Sequence, residues 1–179
     1  MIREKKNTDG TISYVVETSA ASREFACLDQ AEGFVGIPAS RQFQTQWLHV
    51  VQLGYETAAC KRELIDAEWS EFDMEQATWT IPACSNGRAR VVPLSPAAMQ
   101  TLEIMKTMAF PSSPRVFHLV TSNSCVRVVY FRLAVEALKI ACKDFFELRE
   151  IAASRMMVRM LLAGHSIRDV GWVLGRHKF

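Results

Sequence analysis

The spacing of apolar positions separates a β-type amino-terminal segment from a longer, mainly helical remainder. Asp9-Gly10 is a dipeptide typical of two-residue turns, and apolar and polar residues alternate after it, which predicts a hairpin over residues 1–17. Residues 18–40 are small and polar and show little periodicity. They predict a linker with one short helix at most, so the regular fold is expected to begin near residue 41.

From residue 41 onward, apolar residues recur every three or four positions, which is the pattern of amphipathic helices. Ser40 and Ser95-Pro96 mark two helix starts, because serine caps a helix and proline fits its first turn. Helices are predicted over residues 41–57, 61–68, 96–110, 124–141, 147–163 and 166–174. Strands are predicted over residues 78–82 and 88–94, joined by an Asn86-Gly87 turn, and residues 116–120 are predicted to form a short strand or an extended segment. The pattern therefore predicts an α+β fold that is mainly helical, with a small antiparallel β-sheet.

Length and composition are those of one globular domain with a small appendage. The chain has 179 residues, of which 49% are hydrophobic and 22% are charged, so extended disorder and fibrous repeats are excluded. No apolar run reaches the roughly 18–20 residues of a membrane span, and the amino terminus has no apolar signal core. We therefore expect a cytoplasmic protein that contacts no membrane.

Cysteine and histidine usage predicts neither a disulfide framework nor a metal site. The five cysteines form an odd set without a C-x-x-C pair, and we expect reduced, mostly buried thiols: Cys27, Cys60, Cys84, Cys125 and Cys142. His49 and His165 are expected at the surface or hydrogen-bonded in the core. Three methionines at helical spacing predict core packing: Met156, Met157 and Met160. No metal ion and no small-molecule cofactor is expected.

The net charge of +2 conceals an asymmetry along the chain. Residues 115–179 hold 11 Lys and Arg against five Asp and Glu, whereas the preceding residues hold 10 against 14. A basic carboxy-terminal third is typical of a nucleic-acid partner. Solvated Lys and Arg on amphipathic helices explain the same charge equally well, so composition leaves both interpretations open.

Four segments, taken in order, resemble the sequence boxes of the tyrosine recombinase (phage integrase) catalytic domain. Residues 56–73 are similar to the family's T-G-x-R-x-x-E-L…L-x-W-x-D-I-D box, and residues 81–95 to the β-hairpin segment that follows it. Residues 146–155 are similar to the H-x-L-R-H box with its helix, and residues 164–177 to the last helix and the L-G-H box. The resemblance covers about residues 41–179 and implies the fold of that catalytic domain.

The resemblance also implies a division of the chain. Residues 2–10 look like the start of an integrase arm-type DNA-binding domain. We therefore expect residues 1–40 to form an amino-terminal hairpin and linker, a remnant of the arm and core-binding region. Residues 41–179 are expected to form an integrase-like catalytic domain that lacks the carboxy-terminal tyrosine segment.

The implied reaction, cleavage of a DNA phosphodiester through a tyrosine ester, needs three kinds of group. A phenol attacks the phosphorus, arginine forks stabilise the charge on the phosphate oxygens, and a lysine or histidine protonates the departing oxygen. Arg149 falls on the family's second catalytic arginine. His177 falls one residue beyond the histidine of the L-G-H box, after an interval from Arg149 that is a few residues longer than usual. We interpret Arg149 and His177 as vestigial catalytic residues.

Most other positions of this machinery hold different residues. The first catalytic arginine falls at Cys60, the hairpin lysine at Ser85 and the box histidine at Phe146. Glu150 follows Arg149 and would bring a negative charge towards the phosphate. The chain ends at Phe179 without the expected tyrosine, and its tyrosines are Tyr14, Tyr55 and Tyr130. Losing one preorganised donor typically lowers a rate by about 10²–10³-fold, so these losses together predict no strand cleavage. A Cys60 thiolate is a conceivable replacement nucleophile, but a buried helix cysteine is the favoured interpretation.

The leading hypothesis is an integrase-like protein of mobile-element origin, associated with DNA recombination and integration, that binds double-stranded DNA weakly and does not cleave it. The candidate nucleic-acid-binding residues are Lys61, Arg62, Arg88, Arg90, Arg149 and Arg155. Two alternatives without a nucleic-acid contact stay open. In the first, Arg149 pairs with Glu147 or Glu150; in the second, the hairpin arginines are solvated. The alternative functions are a non-catalytic interaction protein or decoy, pairing with an intact recombinase or with itself, and a remnant of a decaying element.

Overall fold

Two three-stranded antiparallel sheets and six α-helices make up the described part of the chain. The computed structural model describes residues 2–7, 12–17, 22–25, 41–83, 89–109, 113–120 and 124–175. The first sheet has the order β1-β2-β3, with β1 Ile2–Lys6, β2 Ile12–Glu17 and β3 Ser22–Phe25. The second has the order β4-β5-β6, with β4 Phe72–Asp73, β5 Thr78–Ile81 and β6 Arg90–Pro93. The helices are α1 Arg41–Thr57, α2 Lys61–Asp66, α3 Pro96–Thr107, α4 Ser124–Ala137, α5 Phe145–Leu162 and α6 Ile167–Leu174.

Helix α1 is the centre of the fold, and α3, α4 and α5 all pack against it. Its inner face buries Trp47, Val50, Val51 and Leu53, each no more than 1% exposed. Burying such side chains contributes about 1.5–3 kcal/mol each, which explains why a helix with this apolar spacing forms here. The second sheet adds Trp79, Ile81 and Val92 to the same core.

Side-chain caps fix where the later helices begin. The Ser95 hydroxyl accepts a hydrogen bond from the Ala98 N–H at 3.2 Å, and Asp144 accepts from the Phe146 and Glu147 N–H groups at 2.8 and 2.9 Å. Ser166 and Asp169 form a reciprocal capping box at the start of α6. Helix α6 ends at Gly175, whose φ of +67° is the left-handed conformation that glycine adopts without strain. Helix α6 packs against β6.

Most of the predicted elements are confirmed. Helix α1 has the predicted bounds, and α5 and α6 lie within two residues of theirs. Pairing of Lys6 with Ile12 in β1 and β2 confirms the amino-terminal hairpin, although its turn lies outside the described residues, as does the Asn86-Gly87 turn. The α+β fold class, mainly helical with a small antiparallel sheet, is confirmed.

Several finer expectations are wrong. Residues 116–120 form a turn rather than a strand, because only Arg115 makes a β-bridge, to Glu68, while Val116 and Phe117 pack into the core. Strand β3 lies within the segment predicted as linker; residues 26–40 of that segment are outside the described ranges. Cys60 and Cys142 are half-buried rather than buried. Met157 is 38% exposed, whereas Met156 and Met160 are core residues as predicted.

Helices long and apolar enough to cross a bilayer are absent from the described ranges. The same ranges contain no cluster of three or more His, Cys, Asp or Glu side chains that could hold a metal ion.

Candidate functional site

A buried ion pair between Glu63 and Arg90 lies at the centre of the site. The Arg90 guanidinium donates from Nη1 to Glu63 Oε1 and from Nη2 to Oε2, both at 2.7 Å, and the two side chains are 5% and 7% exposed. Glu63 Oε2 also accepts a hydrogen bond from the Cys60 backbone N–H at 2.7 Å. Burial alone would raise the pKa of Glu63, but the hydrogen bonds and charge of Arg90 lower it, so the carboxylate stays ionised.

This geometry corrects the expectation that Arg90 is an exposed hairpin arginine. Residues alternate along β6, so Arg90 and Val92 point inward while Val91 and Pro93 point outward. A guanidinium that is 5% exposed and held bidentately by a carboxylate is shielded from solvent, and its fork is already occupied by an anion. Arg90 therefore joins β6 to α2 instead of presenting a charge to a nucleic acid.

Cys60 occupies the position that the resemblance gives to the first catalytic arginine. It is the N-cap residue of α2 and is half-buried. Burial raises the pKa of the Cys60 thiol, and the neighbouring Glu63 carboxylate raises it further, so the protonated form prevails at neutral pH. A protonated thiol is a poor nucleophile, and it offers neither the charge nor the fork of an arginine.

Arg149 lies on the first half of α5 and reaches two backbone carbonyls. Its Nε donates to the Ala58 oxygen at 3.1 Å and its Nη2 to the Leu174 oxygen at 3.4 Å. Ala58 follows α1 with a φ of +54°, and Leu174 is the last residue of α6. No carboxylate of the described ranges forms an ion pair with Arg149, so the alternative pairing with Glu147 or Glu150 is not observed there. Glu147 pairs instead with Lys143 at 3.4 Å.

The end of α6 brings the two arginines into one site. Gly175, directly after Leu174, lies against the Arg90 side chain, since a Cβ built on Gly175 would be 3.5 Å from Arg90 Cδ. Ala58, which binds Arg149, is two residues before Cys60, whose N–H binds Glu63. A continuous set of contacts thus joins Arg149, the end of α6, Arg90, Glu63 and Cys60.

The other predicted contact residues are dispersed. Arg62 has a side chain that is 79% exposed and forms an ion pair with Asp66 at 3.5 Å, and its neighbour Lys61 is half-buried. Arg155 lies on another face of α5, where it pairs with Glu56 at 3.6 Å. Arg88 and His177 fall outside the described residues.

A second charged cluster, around Glu56, was missed by the sequence reasoning. Glu56 is 8% exposed, and its Oε2 accepts from the Ser95 hydroxyl at 2.6 Å and from Arg159 Nη1 at 3.4 Å. Arg155 stacks over the Tyr55 ring, with its guanidinium carbon 3.8 Å from the ring centroid. In the sequence, the four-residue spacing of Arg155 and Arg159 places them one turn apart on one face of α5, and this spacing could have indicated a shared partner.

The tyrosines with described side chains are engaged elsewhere. Tyr130 is 4% exposed, and its ring packs edge-on against Phe43 at a centroid distance of 4.9 Å. Tyr55 lies beneath Arg155. Phe146, at the position of the box histidine, is 72% exposed. Both tyrosine rings are thus packed against neighbouring side chains.

Comparison with known proteins finds the fold of this chain in recombinases. No protein-family model matches the chain. A Haemophilus influenzae protein named as an integrase/recombinase is 34% identical over 64 residues, which are 36% of this chain and 18% of that protein. The crystal structure of XerA recombinase matches with a TM-score of 0.55 and 15% identity, covering 78% of this chain and 56% of that one.

The Tn1549 transposon integrase, solved in complex with circular intermediate DNA, matches with a TM-score of 0.51 and 13% identity. That match covers 85% of this chain and 57% of the integrase chain. The chain therefore spans little more than half the length of the solved proteins it resembles, and a much smaller part of the curated relative. At these identities the structural matches show the fold, which is that of a tyrosine-recombinase-like domain.

Proposed function

We propose that this tyrosine-recombinase-like domain binds double-stranded DNA and does not cleave it. Arg149 is the phosphate-contacting residue of the proposal, with Lys61 and Arg62 at the start of α2 as further contacts to the backbone. Arg88 and His177 stay predictions of the same kind. Arg90 is not included, because its ion pair with Glu63 occupies its fork.

One observation carries the proposal: among the described residues, no carboxylate pairs with Arg149. Its partners are two carbonyl oxygens, which accept hydrogen bonds but hold no full negative charge. Such carbonyls fix the direction of the guanidinium while leaving it attractive to an anion, and Nη1 makes no hydrogen bond within the described residues. The integrase of Tn1549, which shares the fold, is solved with DNA. The basic carboxy-terminal third gives long-range attraction of the same sign.

Two features of the described residues support the proposed absence of cleavage. Cys60 replaces an arginine, and burial keeps it protonated. Tyr55 and Tyr130 are held by Arg155 and Phe43. Removing one preorganised donor costs about 10²–10³-fold in rate.

Electrophoretic mobility of a generic duplex with wild type and with Arg149→Lys and Arg149→Gln tests DNA binding. We expect binding at low salt that weakens steeply as salt rises, near-normal binding by Arg149→Lys, and weaker binding by Arg149→Gln. Lys106→Gln, which alters an exposed lysine of α3 that the proposal does not use, is the matched control for an effect of net charge. Absence of binding at low salt by the folded wild type would contradict the proposal.

A second candidate function is that of a non-catalytic partner, which pairs with an intact recombinase or with itself. The observation that favours it is exposed apolar surface on α5 and α6, where Val158, Leu162, Ile167 and Trp172 are 50% to 84% exposed. Normal folding without low-salt DNA binding, together with concentration-dependent association in sedimentation velocity, would favour this candidate.

We also propose residues 1–40 and 41–179 as separate units, which limited proteolysis would test by releasing a folded fragment that starts near residue 41.

A further inference from the structure

An open groove lies between the end of α1 and the second half of α5, on a different face of α5 from Arg149. Its volume is about 530 Å³, within the range of binding clefts. Its walls are Tyr55, Glu56, Met156, Val158, Arg159 and Leu162, with Arg155 beside them. We call it the α1–α5 groove. The proposed contact between Arg149 and DNA does not use it.

The groove carries an excess of positive charge. Arg155 and Arg159 converge on the single carboxylate of Glu56, at 3.6 and 3.4 Å, and the Ser95 hydroxyl takes up part of that carboxylate as well. Both arginine side chains remain about half exposed, at 47% and 46%. Arg159 Nη2 also donates to the Glu56 backbone oxygen at 3.5 Å. Each guanidinium has five N–H donors, and most of them make no hydrogen bond within the described residues. A second carboxylate would complete the charge balance of the cluster.

The groove also exposes apolar surface next to those charges. Val158 and Leu162 are one helical turn apart and are 54% and 84% exposed. They form an apolar stripe that runs parallel to the stripe of Arg155 and Arg159 on the same helix. Exposed large apolar side chains in a concave, charged setting are typical of protein interfaces.

We propose that the α1–α5 groove binds a short apolar peptide segment that carries a carboxylate side chain, supplied by a protein partner. The carboxylate bridges Arg155 and Arg159, and the flanking apolar side chains cover Val158 and Leu162. Charge complementarity selects an acidic segment over a basic one. A DNA phosphate would satisfy the arginines but would leave the apolar stripe exposed, so a nucleic acid is the less suitable occupant.

Selection of random linear peptides displayed on phage, against the immobilised full chain, tests the proposal without assuming a partner. The expected result is enrichment of peptides with Asp or Glu flanked by apolar residues. Synthetic versions of the selected peptides are then expected to bind wild type and to lose about tenfold in affinity against Arg159→Gln and against Leu162→Asp. Leu133→Asp, on α4 with a leucine 51% exposed, is the matched control and should bind normally.

The remaining outcomes would overturn the proposal. They are selected peptides without an acidic residue, no selected peptide at all, and binding that Arg159→Gln and Leu162→Asp leave unchanged. Competition of duplex DNA for the peptide, with DNA affinity lowered by Arg159→Gln, would assign the groove to nucleic acid instead. Thermal melting of each variant separates loss of binding from loss of fold. Because DNA binding through Arg149 is measured separately, failure of one proposal does not imply failure of the other.

Discussion

Arg90 and Glu63 form a bidentate ion pair in the interior of the protein, with both N–O distances at 2.7 Å. The pair joins β6 to α2 and holds Arg90 against Gly175 at the end of α6. Breaking a buried pair leaves an uncompensated charge, which typically costs about 3–5 kcal/mol. We therefore expect Glu63→Gln and Arg90→Met each to lower the free energy of unfolding by about that amount. Urea denaturation measures it.

The double substitution Glu63→Met with Arg90→Met is the control for this prediction. It removes both charges, so its cost should be smaller than the sum of the two single changes. If each single substitution lowered the free energy of unfolding by less than about 1 kcal/mol, the pair would behave as an exposed ion pair, and the proposed structural role would be contradicted.

The same pair predicts a loss of stability in acid. The pKa of Glu63 is lowered in the folded protein from its ordinary value of 4.5. A lowered carboxyl pKa contributes stability that is complete above the ordinary value and is lost as the pH falls through the folded value. Unfolding measured below pH 4.5 should therefore show a decline in wild type that is smaller in the double methionine variant. Parallel pH profiles for the two proteins would exclude this contribution.

His118 predicts a second pH dependence, nearer to neutrality. Gln46 is fully buried and accepts the Leu119 N–H at 3.0 Å, so its amide nitrogen must face His118 Nδ1, 3.3 Å away. A ring nitrogen that receives this bond must be unprotonated, and burial lowers the pKa of His118 from its ordinary 6.5. Stability should be complete above pH 6.5 and fall as the pH drops towards the folded pKa. We expect His118→Asn, which retains an acceptor but does not titrate, to flatten the unfolding profile; an unchanged profile would contradict the assignment.

Arg149 is expected to stabilise the fold as well as to attract phosphate. It joins the segment after α1 to the end of α6 through the Ala58 and Leu174 carbonyls. Loss of hydrogen bonds from a charged donor costs about 1–3 kcal/mol, so Arg149→Ala should lower the free energy of unfolding by that order, and Arg149→Lys by less. Denaturant titration decides this, and equal stability of Arg149→Ala and wild type would show that the two hydrogen bonds are not formed in solution.

Cys60→Arg tests the resemblance at the position of the first catalytic arginine. A cation there, two residues after Ala58, is expected to add one phosphate contact and to steepen the dependence of log K on log salt by about 0.9 for duplex DNA. Cys60→Ser is the neutral control, with no expected change in slope. Equal slopes for the arginine and serine variants would place residue 60 away from the DNA.

Strong local signals explain which parts of the fold were predictable. Helix α1 has the predicted bounds because its buried residues recur at helical spacing over many turns. The prediction for residues 116–120 was wrong because their apolar side chains are buried in a turn. A short apolar run has the same sequence pattern in a buried turn as in a buried strand. Strand β3 has only four residues and a largely polar sequence, so it gave no periodic signal.

The site was predictable only in part, because its key contacts join residues far apart in the chain. Arg149 was identified as a candidate, but its two carbonyl partners depend on the ends of α1 and α6 meeting. The alternation of β6 placed Arg90 on the same face as Val92, yet nothing local identified Glu63 as its partner. The cluster of Glu56 with Ser95, Arg155 and Arg159 depends on three helices and was missed for the same reason.

One assay measures both DNA binding and the absence of strand cleavage by this recombinase-type domain. Wild type is incubated with labelled, nicked duplexes of randomised sequence, and each sample is run on a native gel and, after denaturation, on an SDS gel. We expect a salt-sensitive shifted band on the native gel and free DNA alone on the SDS gel. A labelled covalent protein–DNA adduct that survives denaturation would contradict it.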